Sequence, residues 1–479
     1  MADFALLRSR LRSRTVTIRM TVVLLCVLVC STRTEWASAQ SAGDQGFRSA
    51  TQTSSFQTYE ASPSLPTLAT SDTAALDARF EQMQQELDAL RMSLNSVHQQ
   101  MVPKAAPAPT FPTAKLTGFF QADAGWLYQD SGSLAQFGDI QDNRGFRRAR
   151  LAATGKVAEN MSYMLEMDFA VNGRPSFMDV WGEVSDVPVL GNVRVGQYRM
   201  PFGLDELTSV KELTFLERPV MFGMGPFRQI GAGFHDSNED QSVTWAASGF
   251  GTGTDFWGNS IGDRGYGTAE RVTGILYEDT CSQSLVHIGF GHSYLATPNN
   301  LVQFRNVPEF GGPFGVPGTI PVFVDTGALP AENTNLLNAE LAGTWGSFHA
   351  QSELRYALVN LNNGATAAFP SFYAQGGYIL TGEHRPYNKA NAVLGRIKPK
   401  QAFGKCGMGA WEVAARYSWM NLNDAGIPGG ELNNISGIVN WYLNDYSKVQ
   451  FMYINADLNR APAGSGQTDI VAMRFQVDF

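Results

Sequence analysis

The sequence is poor in the residues from which catalytic and metal sites are usually built. Its 479 residues include four cysteines and six histidines, and the histidines form neither an HExxH motif nor a pair with metal-ligand spacing. We therefore expect no metal, no cofactor and no catalytic residues, and we predict that the protein is not an enzyme. Cys281 and Cys406 do not form a CxxC pair, so two separate thiols and one disulfide both stay open.

The sequence also lacks an apolar run long enough for a membrane-spanning helix, which needs about 20 residues. Its pronounced apolar run, Met20–Cys30, follows a segment rich in arginine and precedes the small residues Ala37-Ser38-Ala39. This pattern predicts a secretory signal peptide over residues 1–39. An exported chain without spanning helices can cross a membrane only as a closed β-barrel.

The sequence has fewer positive than negative side chains. It contains 36 lysines and arginines and 44 aspartates and glutamates, which gives a net charge of −8. The signal peptide holds six arginines and two acids, so its removal leaves the mature chain near −12. The mature chain is therefore acidic, and we expect no nucleic-acid partner.

The region after the signal peptide changes character twice. Residues 40–72 are rich in Ser, Thr, Gln and Ala without periodicity, which predicts a disordered segment. Residues 73–98 carry apolar side chains at alternating spacings of four and three, which predicts a coiled coil. Its seam consists of Leu76, Phe80, Met83, Leu87, Leu90, Leu94 and Val97.

The coiled coil has two interpretations. A helix this short needs partners in water, and we expect self-association rather than an amphipathic helix lying on its own barrel. Phe and Met in the seam leave the number of helices open. The prolines that follow make residues 99–114 a stiff, extended linker.

From Lys115 onward apolar residues recur at every second position, as in strands with one apolar face. In the second of these segments, Ala149 and Leu151 alternate with Arg148 and Arg150. Sixteen such segments are separated by tight turns that tend to alternate with long loops, which is typical of an outer-membrane barrel. We predict an all-β fold, a 16-stranded antiparallel transmembrane β-barrel over residues 115–479.

The count of sixteen rests on particular assignments. Residues 254–260 are taken as a strand, and long loops are placed at 129–144, 199–240, 295–335 and 421–434. Residues 382–410 are taken as an insertion on the periplasmic side, but the count becomes eighteen if Ala390–Ile397 and a neighbouring segment are strands. An even number of strands places both chain ends on the same side of the membrane, which we expect to be the periplasm. We expect the barrel to lie in an outer membrane of the Gram-negative type.

The last strand ends at Phe479 and resembles the C-terminal signal of bacterial outer-membrane proteins. This resemblance implies two partners, the barrel-insertion machinery and outer-membrane lipid.

Several segments together resemble the phosphate-selective porin O and P family, over most of residues 115–479. They are FRRARLAATGKV (146–157), VRVGQYRMPFGLDELTSVKELTFLERP (193–219), FYAQGGYILTGEHRPY (372–387), GAWEVAARYS (409–418) and NWYLN (440–444). The resemblance implies a homotrimeric, 16-stranded outer-membrane channel for small anions, with phosphate or polyphosphate as the type substrate. It also implies that the coiled coil is trimeric and that loop 199–240 folds into the lumen as a constriction.

Anion selectivity requires cations beside a narrow aqueous path, and arginine suits oxyanions because its planar fork binds them bidentately. Alternation points the second strand's arginines into the lumen and leaves Arg147 on the lipid side or at the rim. The candidate pore-lining and anion-binding residues are Arg148, Arg150, Arg199, Lys211, Arg218 and Arg228.

The same region also supplies carboxylates that oppose this interpretation. The constriction-loop acids are Asp205, Glu206, Glu212 and Glu217, and alternation points Glu166, Asp168, Asp179 and Glu183 inward as well. Arginines paired with such acids would make a transverse field without strong anion preference.

Two alternatives to an anion channel follow. One is a general, weakly selective diffusion porin, and the other, of a different class, is a structural envelope tether that works through the coiled coil.

Overall fold

A computed structural model describes residues 70–101, 110–170, 175–253, 265–311, 320–404, 406–460 and 464–479. The chain divides into two compact units between residues 106 and 107. The predicted signal peptide, all but the end of the predicted disordered segment and half of the predicted linker lie outside the described residues.

The described part of the N-terminal unit is a long helix, α1, over Thr70–Met101. Five side chains of the predicted seam are between 56% and 66% exposed on it: Phe80, Met83, Leu87, Leu90 and Leu94. Leu76 and Val97 lie on the same helix, but their side chains are outside the described part of the structure. In the described ranges, no helix is both long and apolar enough to cross a membrane.

The second unit is a closed antiparallel barrel of sixteen strands, which confirms the predicted fold class. In chain order β1 to β16 are Lys115–Gln129, Asn143–Ala158, Met161–Asp168, Ser176–Val187, Gly191–Arg199, Arg228–Ser237, Val243–Gly251, Tyr266–Asp279, Ser284–Ala296, Leu329–Trp345, Phe348–Leu361, Thr366–Ile379, Ala410–Asp424, Ile427–Asn444, Ser447–Arg460 and Gly464–Asp478. Each strand pairs with its neighbours in sequence, and β1 pairs with both β2 and β16. That last pairing closes the barrel.

The side chains of each strand alternate between the lumen and the outer surface. On β11, Glu353 and Arg355 face inward and are 2% and 1% exposed, whereas Leu354 and Tyr356 face outward and are 40% and 41% exposed. An apolar outer face and a polar interior are what a barrel surrounded by lipid requires.

Short elements occupy the connections. They are helix α2 (Ser131–Phe137), helix α3 (Leu204–Leu207), the 3₁₀ turns Val220–Met224 and Pro298–Asn300, and the two-residue strands Leu301–Val302, Arg305–Asn306, Val324–Asp325, Tyr387–Asn388 and Val393–Leu394. The last two pair only with each other, as a small hairpin between β12 and β13. The eighteen-strand alternative is therefore wrong, because this hairpin never joins the wall.

Two predicted connections differ from the structure. The predicted loop 199–240 contains β6, so the observed connection is only 200–227. The predicted loop 421–434 is a turn at Ala425 and Gly426, with φ of 50° and 80°, flanked by two strands. A two-residue turn with both φ values positive matches the twist of a hairpin. The predicted strand 254–260 lies outside the described residues.

The two ends of the barrel differ in the connections that they carry. Both ends of the barrel chain lie at one end, together with turns such as Gly346-Ser347 and the longer segment 380–409. The connections 130–142, 200–227 and 297–328 leave from the other end. Segment 380–409 lies at the end that holds the chain termini, and this is the end at which the sequence predicts the insertion.

Candidate functional site in the channel interior

The connection 200–227, named here the inner loop, runs inside the barrel. Side chains from separate parts of the wall donate hydrogen bonds to its backbone carbonyls. The Lys448 Nζ reaches the Leu213 carbonyl at 2.9 Å, and the Asn440 Nδ2 reaches that of Thr214 at 2.9 Å. The inner loop therefore lies across the lumen, where it narrows any aqueous path.

Glu217 attaches one part of the inner loop to the wall formed by β1, β2 and β16. Its carboxylate lies 2.7 Å from Arg148, 2.7 Å from Arg474 and 3.1 Å from Arg147. Burial alone would raise the pKa of the Glu217 carboxyl, but the attraction of these three guanidinium groups holds that pKa well below its usual range. The ionised form of Glu217 is thus favoured between three guanidinium groups.

Arg147 contradicts the prediction that it lies on the lipid side or at the rim. The β1–β2 register pairs Gln121 with Arg148 and Ala122 with Phe146, so Arg147 is the extra residue of a β-bulge. A bulge breaks the alternation of side chains and re-aims the extra residue. Here it turns Arg147 into the lumen, toward Glu217.

Glu353 attaches the other part of the inner loop to β11. Its two carboxylate oxygens accept hydrogen bonds from the backbone N–H groups of Leu204 and Asp205, at 2.8 and 3.0 Å. These are the free N–H groups at the start of α3, where a carboxylate is favourable. The next residue, Glu206, pairs with Arg355 of β11 at 2.9 Å.

Two predicted pore-lining cations, Arg150 and Arg228, face carboxylates that belong to β3 and β4 respectively. Arg150 lies 2.8 Å from Asp168 and 3.5 Å from Glu166, and Arg228 lies 3.0 Å from Asp179. These acids point inward, as alternation predicts. Arg228 is the first residue of β6 rather than part of the loop.

Arg199 and Arg218 bind the end of α3 rather than open solvent. The Arg199 guanidinium donates to the carbonyls of Glu206, Leu207 and Thr208 at 2.8–3.1 Å. Arg218 donates to the Asp205 and Thr208 carbonyls at 2.8 and 2.6 Å. Both arginines stabilise the conformation of the inner loop, and these carbonyl groups partly compensate their positive charge.

Lys211 differs from the other five predicted cations. Within the described residues its ammonium has no carboxylate or carbonyl acceptor, and its near contact is the face of the Phe119 ring, 5.9 Å from the centroid. Arg150 lies over the same ring at 5.5 Å. The Lys211 side chain is half-buried, so part of it remains exposed to solvent.

The predicted loop acids are mostly neutralised where they lie. Asp205, Glu206 and Glu217 are buried and each lies within 3.7 Å of an arginine. Burial raises the pKa of both Asp205 and Glu206, against the opposing attraction of Arg218 and Arg355 respectively. The fourth acid, Glu212, is half-buried.

The connection 380–409, named here the basic segment, also enters the lumen, which the sequence analysis did not predict. Arg271 of β8 donates to the Ala392 carbonyl at 2.9 Å, and the Tyr387 hydroxyl lies 2.7 Å from His287 of β9. Arg385 donates to the Glu212 carbonyl of the inner loop at 2.7 Å. The two segments therefore meet inside the barrel.

Composition could have identified the basic segment as functional. It carries six cations, Arg385, Lys389, Arg396, Lys398, Lys400 and Lys405, against the single acid Glu383. Lys398 and Lys400 are exposed, and Lys389 pairs with Glu278 at 2.7 Å. Alternation could also have identified the inward wall arginines Arg271, Arg355, Arg416 and Arg474, which sequence reasoning did not select.

The lumen is more open on one side than on the other. Apolar side chains of the inner loop and of connection 297–328, such as Phe215, Phe310 and Phe323, are buried in a core beside β10–β16. On β5 and β6, by contrast, the inward side chains of Arg194 and His235 are 26% and 37% exposed. The inward faces of β5 and β6 are therefore partly exposed to solvent near the end of the barrel that holds the chain termini.

Two further expectations concern cysteine and metal. Cys281 and Cys406 are free and exposed, so the disulfide alternative is wrong. Over the described ranges, no group of three or more His, Cys, Asp or Glu side chains could hold a metal ion.

Comparison with known proteins gives one family and several distant relatives. The model of the family "Phosphate-selective porin O and P" matches residues 114–479. Porin O of Pseudomonas aeruginosa is 24% identical over 389 residues, covering 74% of this chain and 85% of that protein. An uncharacterised protein of Caulobacter vibrioides is 24% identical over 458 residues, covering 85% of this chain and 89% of that protein.

Solved structures resemble the barrel only in part. The trimer form of OmpT from Vibrio cholerae overlaps with a TM-score of 0.47 at 11% identity, covering 77% of this chain and 99% of that one. An anion-selective porin from Comamonas acidovorans overlaps with a TM-score of 0.41 at 12% identity, covering 77% of this chain and 99% of that one.

Proposed function

This chain belongs to the phosphate-selective porin O and P family, and we propose that its channel conducts small anions such as phosphate in preference to cations. The family and the fold are those of an outer-membrane channel rather than of an enzyme. What selects the solute must therefore be sought in the charges that line the path.

The observation that carries this proposal is the free ammonium of Lys211 on the inner loop. An anion in a narrow path is stabilised by a cation that is not already compensated by a neighbouring carboxylate. Lys211 is such a cation, since its near contact is the Phe119 ring. The exposed Lys398 and Lys400 of the basic segment add positive charge to the segment that enters the barrel from the end holding the chain termini.

The paired wall arginines favour a second candidate, a general and weakly selective diffusion porin. Arg148, Arg150 and Arg228 each lie within 3.0 Å of a carboxylate. Such pairs create a field across the lumen but little net charge along it. Selectivity then depends on the few cations outside these pairs.

Planar-bilayer recording separates the candidates. In a salt gradient the wild-type channel should give a reversal potential on the anion side, and inorganic phosphate should block chloride current. Lys211→Gln should move the reversal potential toward the cation side and weaken the block. The matched control is Lys156→Gln, because Lys156 lies at the end of β2, where its Nζ donates to the Glu159 carbonyl.

Each outcome of this recording bears on a different claim. A cation-side reversal potential in the wild type would remove anion preference and leave the weakly selective porin. An unchanged potential in Lys211→Gln would remove Lys211 as the determinant. A purified protein without conductance would leave the structural tether built on α1.

We further propose a homotrimer whose N-terminal region is periplasmic and whose last strand, ending at Phe479, is read by the barrel-insertion machinery. Cys281 and Cys406 allow the orientation to be measured, because both are exposed and belong to the end of the barrel that holds the chain termini. A bulky, impermeant maleimide should label them in permeabilised cells and leave them unlabelled in intact cells. Labelling of intact cells would reverse the orientation.

A further inference from the structure

Helix α1 presents an apolar seam that no other described residue of its unit covers. Phe80, Met83, Leu87, Leu90 and Leu94 are more than half exposed although they are large and apolar. Their spacing places Phe80, Leu87 and Leu94 at heptad position a, and Met83 and Leu90 at position d. A narrow seam of this kind is buried by a second helix with the same pattern.

We infer that α1 packs against the α1 helices of other copies of this chain in a parallel, in-register coiled coil. Its register is set by an ion pair between Glu86 of one helix and Arg91 of the next. The inference rests on the proposed trimer, for which it names the contact, the orientation and the alignment.

The parallel orientation follows from the symmetry of the assembly. In each barrel β1 starts at the same end at which β16 finishes, and all barrels in one membrane are inserted in the same direction. The helices that precede β1 are therefore joined to the same end in every copy. A closed ring of identical copies then relates them by rotation about one axis, which keeps helices parallel.

The alignment follows from the charges beside the seam. Glu86 is at position g and Arg91 at position e of the next heptad, which is the pair that meets across neighbouring parallel helices. Within one helix the two cannot meet, because residues five apart do not share a face. Arg91 has a loose contact with Asp88 at 3.8 Å, and both are exposed, so the guanidinium is available.

The antiparallel arrangement is disfavoured at the same position. With the two seams fully overlapped in opposite directions, g positions meet g positions and Glu86 lies opposite Glu86 of the other copy. A parallel stagger by one heptad would separate Glu86 from Arg91 and leave seam side chains of each helix uncovered. The parallel, in-register form alone combines the full seam with this pair.

Cysteine cross-linking in the full-length, membrane-extracted protein tests the geometry. In a Cys281→Ser, Cys406→Ser background, Leu90→Cys should form disulfide-linked dimers on mild oxidation, because equivalent seam residues meet in a parallel, in-register coil. Leu94→Cys should do the same. Met92→Cys is the matched control, since Met92 is 75% exposed and lies on the outer face of the helix, and it should stay monomeric on denaturing gels.

Charge reversal tests the alignment. Glu86→Arg and Arg91→Glu should each slow the Leu90→Cys cross-link about two- to tenfold, and the double variant should restore its rate. In an antiparallel coil Glu86→Arg would only replace one like-charge pair at position 86 by another, so neither the slowing nor the rescue is expected. Absence of rescue would overturn the inference.

The failure of this inference and the failure of the proposed trimer are distinguishable. If native mass spectrometry gives trimers but Leu90→Cys and Leu94→Cys fail to cross-link, the barrels associate and α1 does not mediate the contact as inferred. If the protein is monomeric at all concentrations, the proposed trimer fails and the inference fails with it.

Discussion

The inner loop and the basic segment both enter the lumen, and they carry opposite charge. The inner loop has four acids and two cations, whereas the basic segment has six cations and one acid. Two acids of the inner loop are placed against wall arginines, Glu206 against Arg355 and Glu217 against Arg148 and Arg474. The basic segment instead leaves Lys398 and Lys400 exposed.

This difference separates two uses of charge inside one channel. In a narrow, partly dehydrated space an arginine and a carboxylate attract strongly and attach one element to another. The same pairing removes the net charge that a passing ion would sense. Charged side chains that attach the inner loop to the wall are thus poor candidates for determining ion selectivity. Cations without a carboxylate partner are better candidates.

The largest expected effect comes from breaking the attachment at Glu217. Glu217→Ala leaves three arginines without their shared carboxylate, which should lower the free energy of unfolding by about 3–5 kcal/mol. The temperature at which the barrel loses its compact mobility on denaturing gels should fall accordingly. The matched control is Glu212→Ala, whose side chain is 24% exposed and 3.8 Å from Arg396, and it should cost less than about 1 kcal/mol.

The second effect concerns selectivity at the basic segment. Lys398→Gln with Lys400→Gln should lower the ratio of anion to cation permeability about two- to fivefold, because the basic segment loses two exposed cations. The reversal potential in a salt gradient measures this ratio. A ratio equal to wild type would mean that the basic segment does not act on permeating ions.

A smaller effect is expected from pH. Burial raises the pKa of Asp205 and Glu206, so these carboxyls become neutral at a higher pH than ordinary ones. As pH falls, the inner loop loses negative charge while Glu217 keeps its own, since its pKa is low. Anion preference should therefore rise on acidification, and Asp205→Asn with Glu206→Gln should flatten the profile of reversal potential against pH.

The smallest effect is expected when both members of an arginine–carboxylate ion pair are replaced by neutral residues. Arg150→Gln with Asp168→Asn removes one charge of each sign at 2.8 Å separation, so the net charge of the lumen is unchanged. The permeability ratio should stay within experimental error of wild type, whereas Arg150→Gln alone should lower it. A large shift in the double variant would mean that paired arginines also contact the solute.

Much of the barrel wall was predictable because lipid imposes a simple rule on it. Outward residues such as Leu354 and Tyr356 must be apolar, and inward residues such as Glu353 and Arg355 are polar. Apolar and polar residues therefore alternate along each strand, and this alternation identifies the strands in the sequence. The missed strand β6 has a weak pattern, with Gly231 and Gly233 at inward positions. Glycine there lacks the polar side chain that would have marked the inward face.

The candidate site was predictable in residue type more than in arrangement. The six cations do lie in the channel interior, but the sequence could not say which of them a carboxylate compensates. Glu217 meets Arg148 across 69 positions of chain, and Leu204 meets Glu353 across 149. Such partners depend on how a loop crosses the lumen, and no local pattern encodes that path.

The residue pattern alone was enough for most of the barrel wall, the heptad seam of α1 and the inventory of charges, because each depends on local periodicity or composition. The turning of Arg147 into the lumen depended on a bulge, and the isolation of Lys211 beside Phe119 depended on where the inner loop lies. The entry of the basic segment into the lumen likewise depends on contacts with β8 and β9. These features arise from contacts between residues far apart in sequence, and the strength of a charge in a channel depends on its neighbours in space.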